Sequence, residues 1–108
     1  MEKEIFKEMQ MRMIRNFLDI IILAELRNRS ALSGYDLIDF IHKKFGIMVS
    51  SGTVYAILYS MERGELIKGE WSRRRRIYLL TDKGRETFNA IWKSEENIQA
   101  FMRFLIGK

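Results

Sequence analysis

The chain has 108 residues, of which 47% are hydrophobic and 31% charged, a size and composition typical of one small globular domain. It has a formal net charge of +5, no cysteine and a single histidine, which excludes disulfides and cysteine-ligated metal sites. Because there is neither a signal peptide nor an apolar run near the roughly 20 residues of a membrane span, we expect a soluble, cytoplasmic protein without cofactors.

Two apolar segments open the chain. Residues 1–13 have a loose helical stripe that includes Phe6 and Met9, and we interpret this segment as an arm that packs on a partner subunit. Residues 14–26 are predicted to form the first core helix. The middle of that helix, around Ile20, is apolar on nearly all sides, so we expect its own domain and a second subunit to cover it.

A second helix is predicted over residues 34–45, with Ser33 as its N-cap and Gly46 at its end. His42 lies on its polar face and has no companion ligands, so a surface position is favoured over a metal or catalytic role. Residues 47–49 are expected to form a short strand or extended turn. The inward stripe of the helix is expected to comprise Tyr35, Leu37, Ile38, Ile41 and Phe45.

A third helix is predicted to follow Ser50 or Ser51, either of which can cap it, and to end at Gly64, a residue tolerant of positive φ. Its apolar stripe recurs at helical spacing and contains Val54, Ile57, Leu58 and Met61. Its outer face displays residues four apart, namely Ser51, Tyr55 and Tyr59.

A basic hairpin is predicted next, with strands over residues 66–71 and 75–80. Its turn region contains four consecutive arginines, Arg73, Arg74, Arg75 and Arg76. Residues 47–85 have eight basic and four acidic side chains, so they account for +4 of the net charge. Such a run is often only a solvated turn, but beside the preceding helix it favours a polyanionic partner. Trp71 is expected to pack over part of Leu79, an interpretation favoured over stacking on a nucleic-acid base.

The last segment is predicted to be a single helix that Thr81 caps, with heptad spacing from Phe88 to Leu105. So much apolar surface on one helix indicates a dimer interface with the terminal helix and arm of a second subunit. The residues expected at that interface are Phe6, Met9, Ile20, Phe88, Ile91, Trp92, Ile98, Met102 and Leu105.

Together these elements predict a mainly α fold, a winged helix-turn-helix with a two-stranded β-wing and a C-terminal dimerisation helix. We expect residues 1–85 to form the arm and winged helix and residues 86–108 the dimerisation helix, as one structural unit. The ordered motifs over about residues 14–88 resemble the PadR-like transcriptional regulators. The matching residues include Ser50, Gly52-Thr53-Val54-Tyr55, Leu58, Glu62, Gly64, Arg75-Arg76, Tyr78 and Gly84-Arg85. Ala56 departs from the proline usual in that family.

The expected function is sequence-specific binding of double-stranded DNA, as a homodimer on an inverted-repeat operator. The resemblance implies a transcriptional regulator, a repressor role and a small-molecule effector. Hydroxyls of the third helix are expected to bind phosphates, its tyrosines base edges or backbone, and the arginines the backbone or minor groove. The DNA-binding residues are thus expected to be Ser50, Ser51, Thr53, Tyr55, Tyr59, Arg73, Arg74, Arg75 and Arg76.

Two other functions remain open from sequence. The winged helix could bind an acidic protein partner, or the chain could be a ligand-sensing regulator whose effector pocket lies at the dimer interface near Trp92. An enzyme is disfavoured, because the chain has no cysteine, one histidine, no glycine-rich phosphate loop and no metal-ligand spacing.

Overall fold

The computed structural model describes the whole chain, from Met1 to Lys108. The protein is mainly helical, at 69% of its residues, with one small antiparallel sheet. None of its helices is both long enough and apolar enough to cross a membrane. In chain order the elements are α1 (Glu2–Asn16), α2 (Leu18–Asn28), β1 (Leu32–Ser33), α3 (Gly34–Phe45), α4 (Ser51–Arg63), β2 (Ile67–Ser72), β3 (Arg75–Leu80), α5 (Asp82–Lys93) and α6 (Glu95–Leu105).

Local capping chemistry sets the limits of the helix-turn-helix formed by α3 and α4. Ser33 Oγ accepts a hydrogen bond from the Asp36 N–H at 3.0 Å, and Asp36 Oδ2 accepts one from the Ser33 N–H at 2.9 Å. This reciprocal capping box satisfies two amides that would otherwise lack partners. Gly46 ends α3 in the left-handed region, at φ 70°. Ser50 caps α4 through a 3.1 Å bond from the Thr53 N–H, so these predicted boundaries are confirmed.

The hydrophobic core is organised around α2, which packs against α4, α5 and β3. Leu18, Ile22 and Leu23 of that helix are essentially inaccessible to solvent. From α4 the predicted residues Val54, Leu58 and Met61 are buried against it. The remaining buried apolar residues are Leu26, Leu32, Leu37, Ile41, Ile47, Val49, Ile67 and Tyr78.

The sheet has three strands rather than the two expected, in the order β1-β3-β2. The extra strand lies at Leu32–Ser33, between the first two predicted core helices. Residues 47–49, expected to form a short strand or an extended turn, form no strand. A strand of two residues is too short to leave an alternating pattern in the sequence. The wing, formed by β2, β3 and their two-residue turn, has a register that places Gly69 opposite Tyr78 and Trp71 opposite Arg76.

Both terminal helical segments are interrupted where the sequence predicts continuity. The first break is at Phe17, so the N-terminal helix runs to Asn16 instead of ending near residue 13. The second is at Ser94, which divides the predicted terminal helix into α5 and α6. Ser94 Oγ donates to the Ala90 carbonyl at 2.8 Å. A serine that bonds back to the preceding turn competes for that carbonyl and favours a bend, which is consistent with a break at this position.

Two predicted details of the helix-turn-helix are wrong. Tyr35, assigned to the inward stripe of α3, is 73% exposed, whereas Leu37 and Ile41 are fully buried. Gly64 ends α4 with an ordinary φ of −79°, and the left-handed residue is Glu65, at φ 61°. Leu66 follows, and its N–H donates a 3.0 Å hydrogen bond to the Met61 carbonyl, which closes the helix. This arrangement requires the left-handed conformation at Glu65, one residue later than predicted.

Candidate nucleic-acid interface

The face of α4 opposite the core is polar and exposed. Ser51, Tyr55 and Tyr59 all lie on this face, and the first turn of the helix contains no acidic residue. The N-terminus of a helix presents free N–H groups and the positive end of its dipole. The N-terminal part of this face can therefore approach a polyanion without opposing charge, whereas Glu62 lies at its other end, beside Tyr59.

Hydroxyl groups are arranged at the start of α4 so that two of them remain available to a ligand. Ser50 Oγ accepts from the Thr53 N–H and donates to Thr53 Oγ1 at 2.8 Å. Its single hydrogen is thereby used within the protein. Thr53 keeps its own hydroxyl hydrogen, and exposed Ser51 makes no side-chain hydrogen bond. Thr53 and Ser51 are thus the free donors at this end of the helix.

The two tyrosines of α4 differ in how firmly they are held. Tyr55 is 44% exposed and lies across the start of α3, where a Cβ added to Gly34 would be 2.6 Å from the tyrosine hydroxyl. Any side chain at that position would displace the ring, so the glycine permits the close approach. Tyr59 is 64% exposed, with the Arg63 guanidinium 5.7 Å from its ring centroid. The ring of Tyr55 is therefore packed in place, whereas Tyr59 projects into solvent.

The tip of the wing presents two arginines without partners in the protein. Arg73 and Arg74 form the two-residue turn between β2 and β3, and neither makes an ion pair or side-chain hydrogen bond. Arg73 has φ 60°, in the left-handed region where glycine or asparagine is usual in such turns. An arginine there costs about 1 kcal/mol of backbone strain. Strain of this kind is commonly retained at functional sites.

Arg75 instead connects the wing to the start of α3. Its Nη2 donates to Ser33 Oγ at 2.7 Å and to Asp36 Oδ2 at 3.0 Å. The hydrogen bond from the Ser33 backbone lowers the pKa of Asp36 below 3.8, with further lowering by the Ser33 hydroxyl and Arg75, although partial burial opposes the shift. Arg75 thus completes a network around the capping box.

Replacing Asp36 with asparagine is expected to lower the free energy of unfolding by about 1 kcal/mol at neutral pH, because the charge-assisted bonds to Ser33 and Arg75 weaken. Since folding lowers the pKa of this carboxyl, its stabilisation is present above pH 3.8 and is lost as the pH falls through the folded-state pKa. The difference between variant and wild type should therefore shrink at about pH 3.

Urea denaturation at fixed protein concentration measures this difference at both pH values. Asp39→Asn is the matched control, because Asp39 makes only an exposed pair with Lys43 at 3.0 Å. A constant deficit of Asp36→Asn from neutral to acidic pH would contradict the ionic origin of the stabilisation.

Arg76 connects the wing to the end of α4. Its Nη2 donates to Glu62 Oε2 at 2.9 Å, and this hydrogen bond raises the arginine pKa. The guanidinium crosses Gly69, where an added Cβ would be 2.6 Å from Nη2, and lies 5.7 Å from the Trp71 ring centroid. Nearby Tyr78 is buried, and this burial, followed by the charge of Glu62, raises the pKa of its hydroxyl.

Two exposed aromatic residues beside this surface were not among the predicted site residues. Trp71 was expected to pack over Leu79, but the strand register places the two on opposite faces of the wing, and Trp71 is 70% exposed. Tyr35 is exposed in the first turn of α3. The alternation of β2 and β3 could have assigned Trp71 to the face of Arg76, had the hairpin register been known.

The residues predicted for a dimer interface lie mainly on α1, α5 and α6. No residue of α1 or α6 is buried. The residues predicted for the interface are exposed or half-buried in the single chain, and they comprise Phe6, Met9, Ile20, Phe88, Ile91, Trp92, Ile98, Met102 and Leu105. Further exposed apolar side chains continue the same helices, at Ile5, Met13, Phe101, Phe104 and Ile106.

A groove between α2 and α5 adjoins this apolar surface. Its volume is about 380 Å³, and its walls include Phe88 and Trp92, whose rings stack with centroids 6.4 Å apart. The Arg27 guanidinium lies 5.5 Å from the Phe88 ring centroid. No group of three or more acidic, histidine or cysteine side chains is placed to hold a metal ion.

Comparisons with known proteins agree with this geometry. A family model described as the transcriptional regulator PadR-like family matches residues 22–90. A PadR family transcriptional regulator from Eggerthella lenta superposes with a TM-score of 0.78 at 22% identity, covering 99% of this chain and 96% of that one. A PadR-like transcriptional regulator from Bacillus cereus superposes with a TM-score of 0.72 at 26% identity, covering 90% of this chain and 98% of that one.

A third structure includes DNA. Bacillus subtilis PadR in complex with operator DNA superposes with a TM-score of 0.61 at 23% identity, over 69% of this chain and 46% of that one. Comparison with curated protein sequences gives no match.

Proposed function

This chain belongs to the PadR-like family of DNA-binding transcriptional regulators, and from that premise we propose that it is a homodimeric repressor that binds an inverted-repeat operator. The observation that carries the proposal is the combination of two unpartnered arginines at the wing tip with an α4 N-terminus that has free hydroxyls and no acidic residue in its first turn. These are the two parts that a winged helix needs to read a groove and hold the adjacent backbone.

The roles of the α4 residues follow from their free hydrogen-bonding groups. Ser51 and Thr53 donate to a phosphate at the helix N-terminus, and Ser50 holds Thr53 in position through its cap. Tyr59 projects into the major groove and meets base edges. Tyr55, fixed against Gly34, contacts the sugar-phosphate backbone or a base edge beside it.

The four wing arginines divide into two pairs with different roles. Arg73 and Arg74 are free to contact phosphates or the adjacent minor groove. Arg75 and Arg76 are held by Asp36 and Glu62 within the chain, at 3.0 and 2.9 Å. They orient the wing and add positive charge, and direct phosphate contacts come mainly from the tip.

Dimerisation accounts for the uncovered apolar surface. The apolar residues of α1 and α6 are too numerous to remain in water on a stable monomer, and other parts of the chain leave them exposed. The equivalent helices of a second copy would cover them, with residues 86–108 as the main dimerisation segment. A twofold dimer presents two copies of α4 about 34–36 Å apart, so the operator is expected to contain an inverted repeat.

Repression requires only that the bound dimer exclude other proteins from the same stretch of DNA. Selection of bound duplexes from a random pool tests the operator directly. The expected result is an enriched inverted repeat whose half-sites are one helical turn, about 34–36 Å, or a multiple apart. Enrichment of sites without dyad symmetry would contradict the dimer geometry, and failure to enrich any sequence would contradict specific binding.

The groove beside Trp92 supports a second role, the binding of a small effector. It combines stacked aromatic rings with one cation, and it lies next to the proposed dimer interface. A ligand held there could change the distance between the two copies of α4 and so the affinity for the operator. Quenching of Trp92 fluorescence by a candidate ligand, together with release of the selected duplex, tests this role.

A further inference from the structure

We propose that Trp71 is a direct contact to the DNA backbone and that Arg76, anchored by Glu62, is the positioning residue that holds it there. This inference rests on the proposed function, because it concerns the same DNA complex. It adds a contact residue that the arginine-rich turn does not include, and it gives Arg76 a role other than phosphate binding.

The location of Trp71 is the first reason. Its cross-strand partner is Arg76, and the same face of the wing carries Gly69 and Tyr78 farther from the tip. Arg76 and Tyr78 line an open cleft together with Tyr55 and Tyr59 of α4. The indole therefore lies on the face of the wing that is turned toward α4, two residues before the free Arg73.

The exposure of Trp71 is the second reason. The side chain is 70% exposed, although tryptophan has one of the largest apolar surfaces of any residue and sits on an otherwise polar hairpin end. No core residue covers it, so core packing does not explain the indole. The ring N–H is a hydrogen-bond donor that suits a phosphate oxygen, and the ring face suits the apolar side of a deoxyribose.

The third reason is the fixed geometry of the neighbouring arginine. Glu62, in the last turn of α4, binds the Arg76 guanidinium at 2.9 Å, and the guanidinium lies 5.7 Å from the Trp71 ring centroid. The absent side chain of Gly69 provides the space that the guanidinium occupies. A series of contacts thus connects α4 to the wing, from Glu62 through Arg76 to the Trp71 indole. These contacts orient the indole before DNA binds.

Double-stranded DNA is the occupant that the surrounding charges favour. Arg73 and Arg74 follow the indole at the wing tip without acidic partners, and the one carboxylate in the cleft between the wing and α4, that of Glu62, is paired with Arg76. A duplex that contacts both α4 and the wing tip must pass the space between them, where Trp71 lies.

Fluorescence of single-tryptophan variants provides the direct test, because the chain has only two tryptophans. In Trp92→Phe, acrylamide quenching reports Trp71 alone. Adding a mixed-sequence duplex of about 30 base pairs, long enough for two half-sites one turn apart, should reduce this quenching. In the matched variant Trp71→Phe, which retains Trp92, the duplex should leave acrylamide quenching unchanged. Fluorescence anisotropy of the labelled duplex measures binding independently.

Affinity measurements test the contact and the positioning role separately. Within the Trp92→Phe background, Trp71→Ala is expected to weaken duplex binding about tenfold. Gly69→Ala leaves Arg76, Glu62 and Trp71 chemically intact but occupies the guanidinium site, so it should weaken binding about threefold and alter the quenching of Trp71. Lys68→Ala, on the other face of the wing, is the matched strand control.

Each outcome decides a separate statement. Duplex binding with unchanged Trp71 quenching, or with full affinity in Trp71→Ala, would overturn the contact and leave the proposed function intact. A loss of affinity in Trp71→Ala without any effect of Gly69→Ala would overturn the role of Arg76. If the wild-type protein bound no duplex, the proposed function itself would fail, and this inference with it.

Discussion

Replacing Arg73 and Arg74 together by alanine is expected to weaken binding to every duplex about a thousandfold at about 0.1 M salt. Each subunit loses two phosphate contacts, so a dimer loses four. Because each contact contributes about 0.9 to the slope of log K against log salt, the slope should become shallower by about 3.6. The preference for the selected operator over random duplex should change little, since these residues position the protein rather than read bases.

A matched control distinguishes the effect of phosphate contacts at the wing from the effect of the chain's total charge. Lys93→Ala with Lys108→Ala removes the same two charges per chain from the net +5, at the C-terminal helices instead of the wing. This control should retain nearly the whole salt slope, because phosphate contacts are short-range. Equal slopes for the wing variant and the wild type would show that the arginines do not contact phosphate. A selective loss of operator preference would show that the wing reads sequence.

Replacing Ile98 with glutamate is expected to convert the dimer into a monomer at micromolar concentration. Ile98 is 51% exposed in the isolated chain, on a helix with no buried residue, so the fold itself should tolerate the change. Two such side chains per dimer, each contributing about 1.5–3 kcal/mol when buried, amount to about 3–6 kcal/mol, which corresponds to a change of about a hundredfold or more in the dissociation constant. Sedimentation velocity should give about the 12.9 kDa of one chain instead of twice that mass.

The adjacent polar residue provides the control. Asn97→Glu introduces the same charge one position earlier, about 100° around α6, and should remain a dimer. Since the affinity of a dimer for an inverted repeat depends on both half-sites binding together, Ile98→Glu should also lose operator binding. A wild-type chain that sediments as a monomer, or an Ile98→Glu variant that remains dimeric, would contradict the proposed interface.

The helix-turn-helix could be predicted from sequence because its determinants are local. Ser33 and Ser50 cap helices through amides three residues away, and Gly46 supplies the left-handed residue after α3. The apolar spacing of Val54 and Leu58 likewise depends only on helical periodicity. Each feature depends on residues within one or two helical turns, so the sequence contains all the information required.

The breaks in the terminal helices could not be predicted from the sequence in the same way. The heptad pattern across Ser94 is compatible with one continuous helix, and only the conformation of that serine shows that its hydroxyl bonds back to Ala90. Tyr35 was assigned inward by spacing, yet its side chain lies outside the buried stripe formed by Leu37 and Ile41 and remains exposed to solvent. Periodicity describes which residues share a face and leaves open where the edge of the buried face lies.

The sequence by itself determined the two helices of the helix-turn-helix, their N-caps, the basic hairpin and the family, since each follows from contacts between neighbouring residues or from ordered motifs. Only the tertiary structure divided the four arginines. Arg75 pairs with Asp36, 39 residues away, and Arg76 pairs with Glu62, 14 residues away, while Arg73 and Arg74 remain free. Four identical neighbouring side chains cannot be distinguished by local pattern, because their roles depend on which distant carboxylates the folded chain brings within hydrogen-bonding distance.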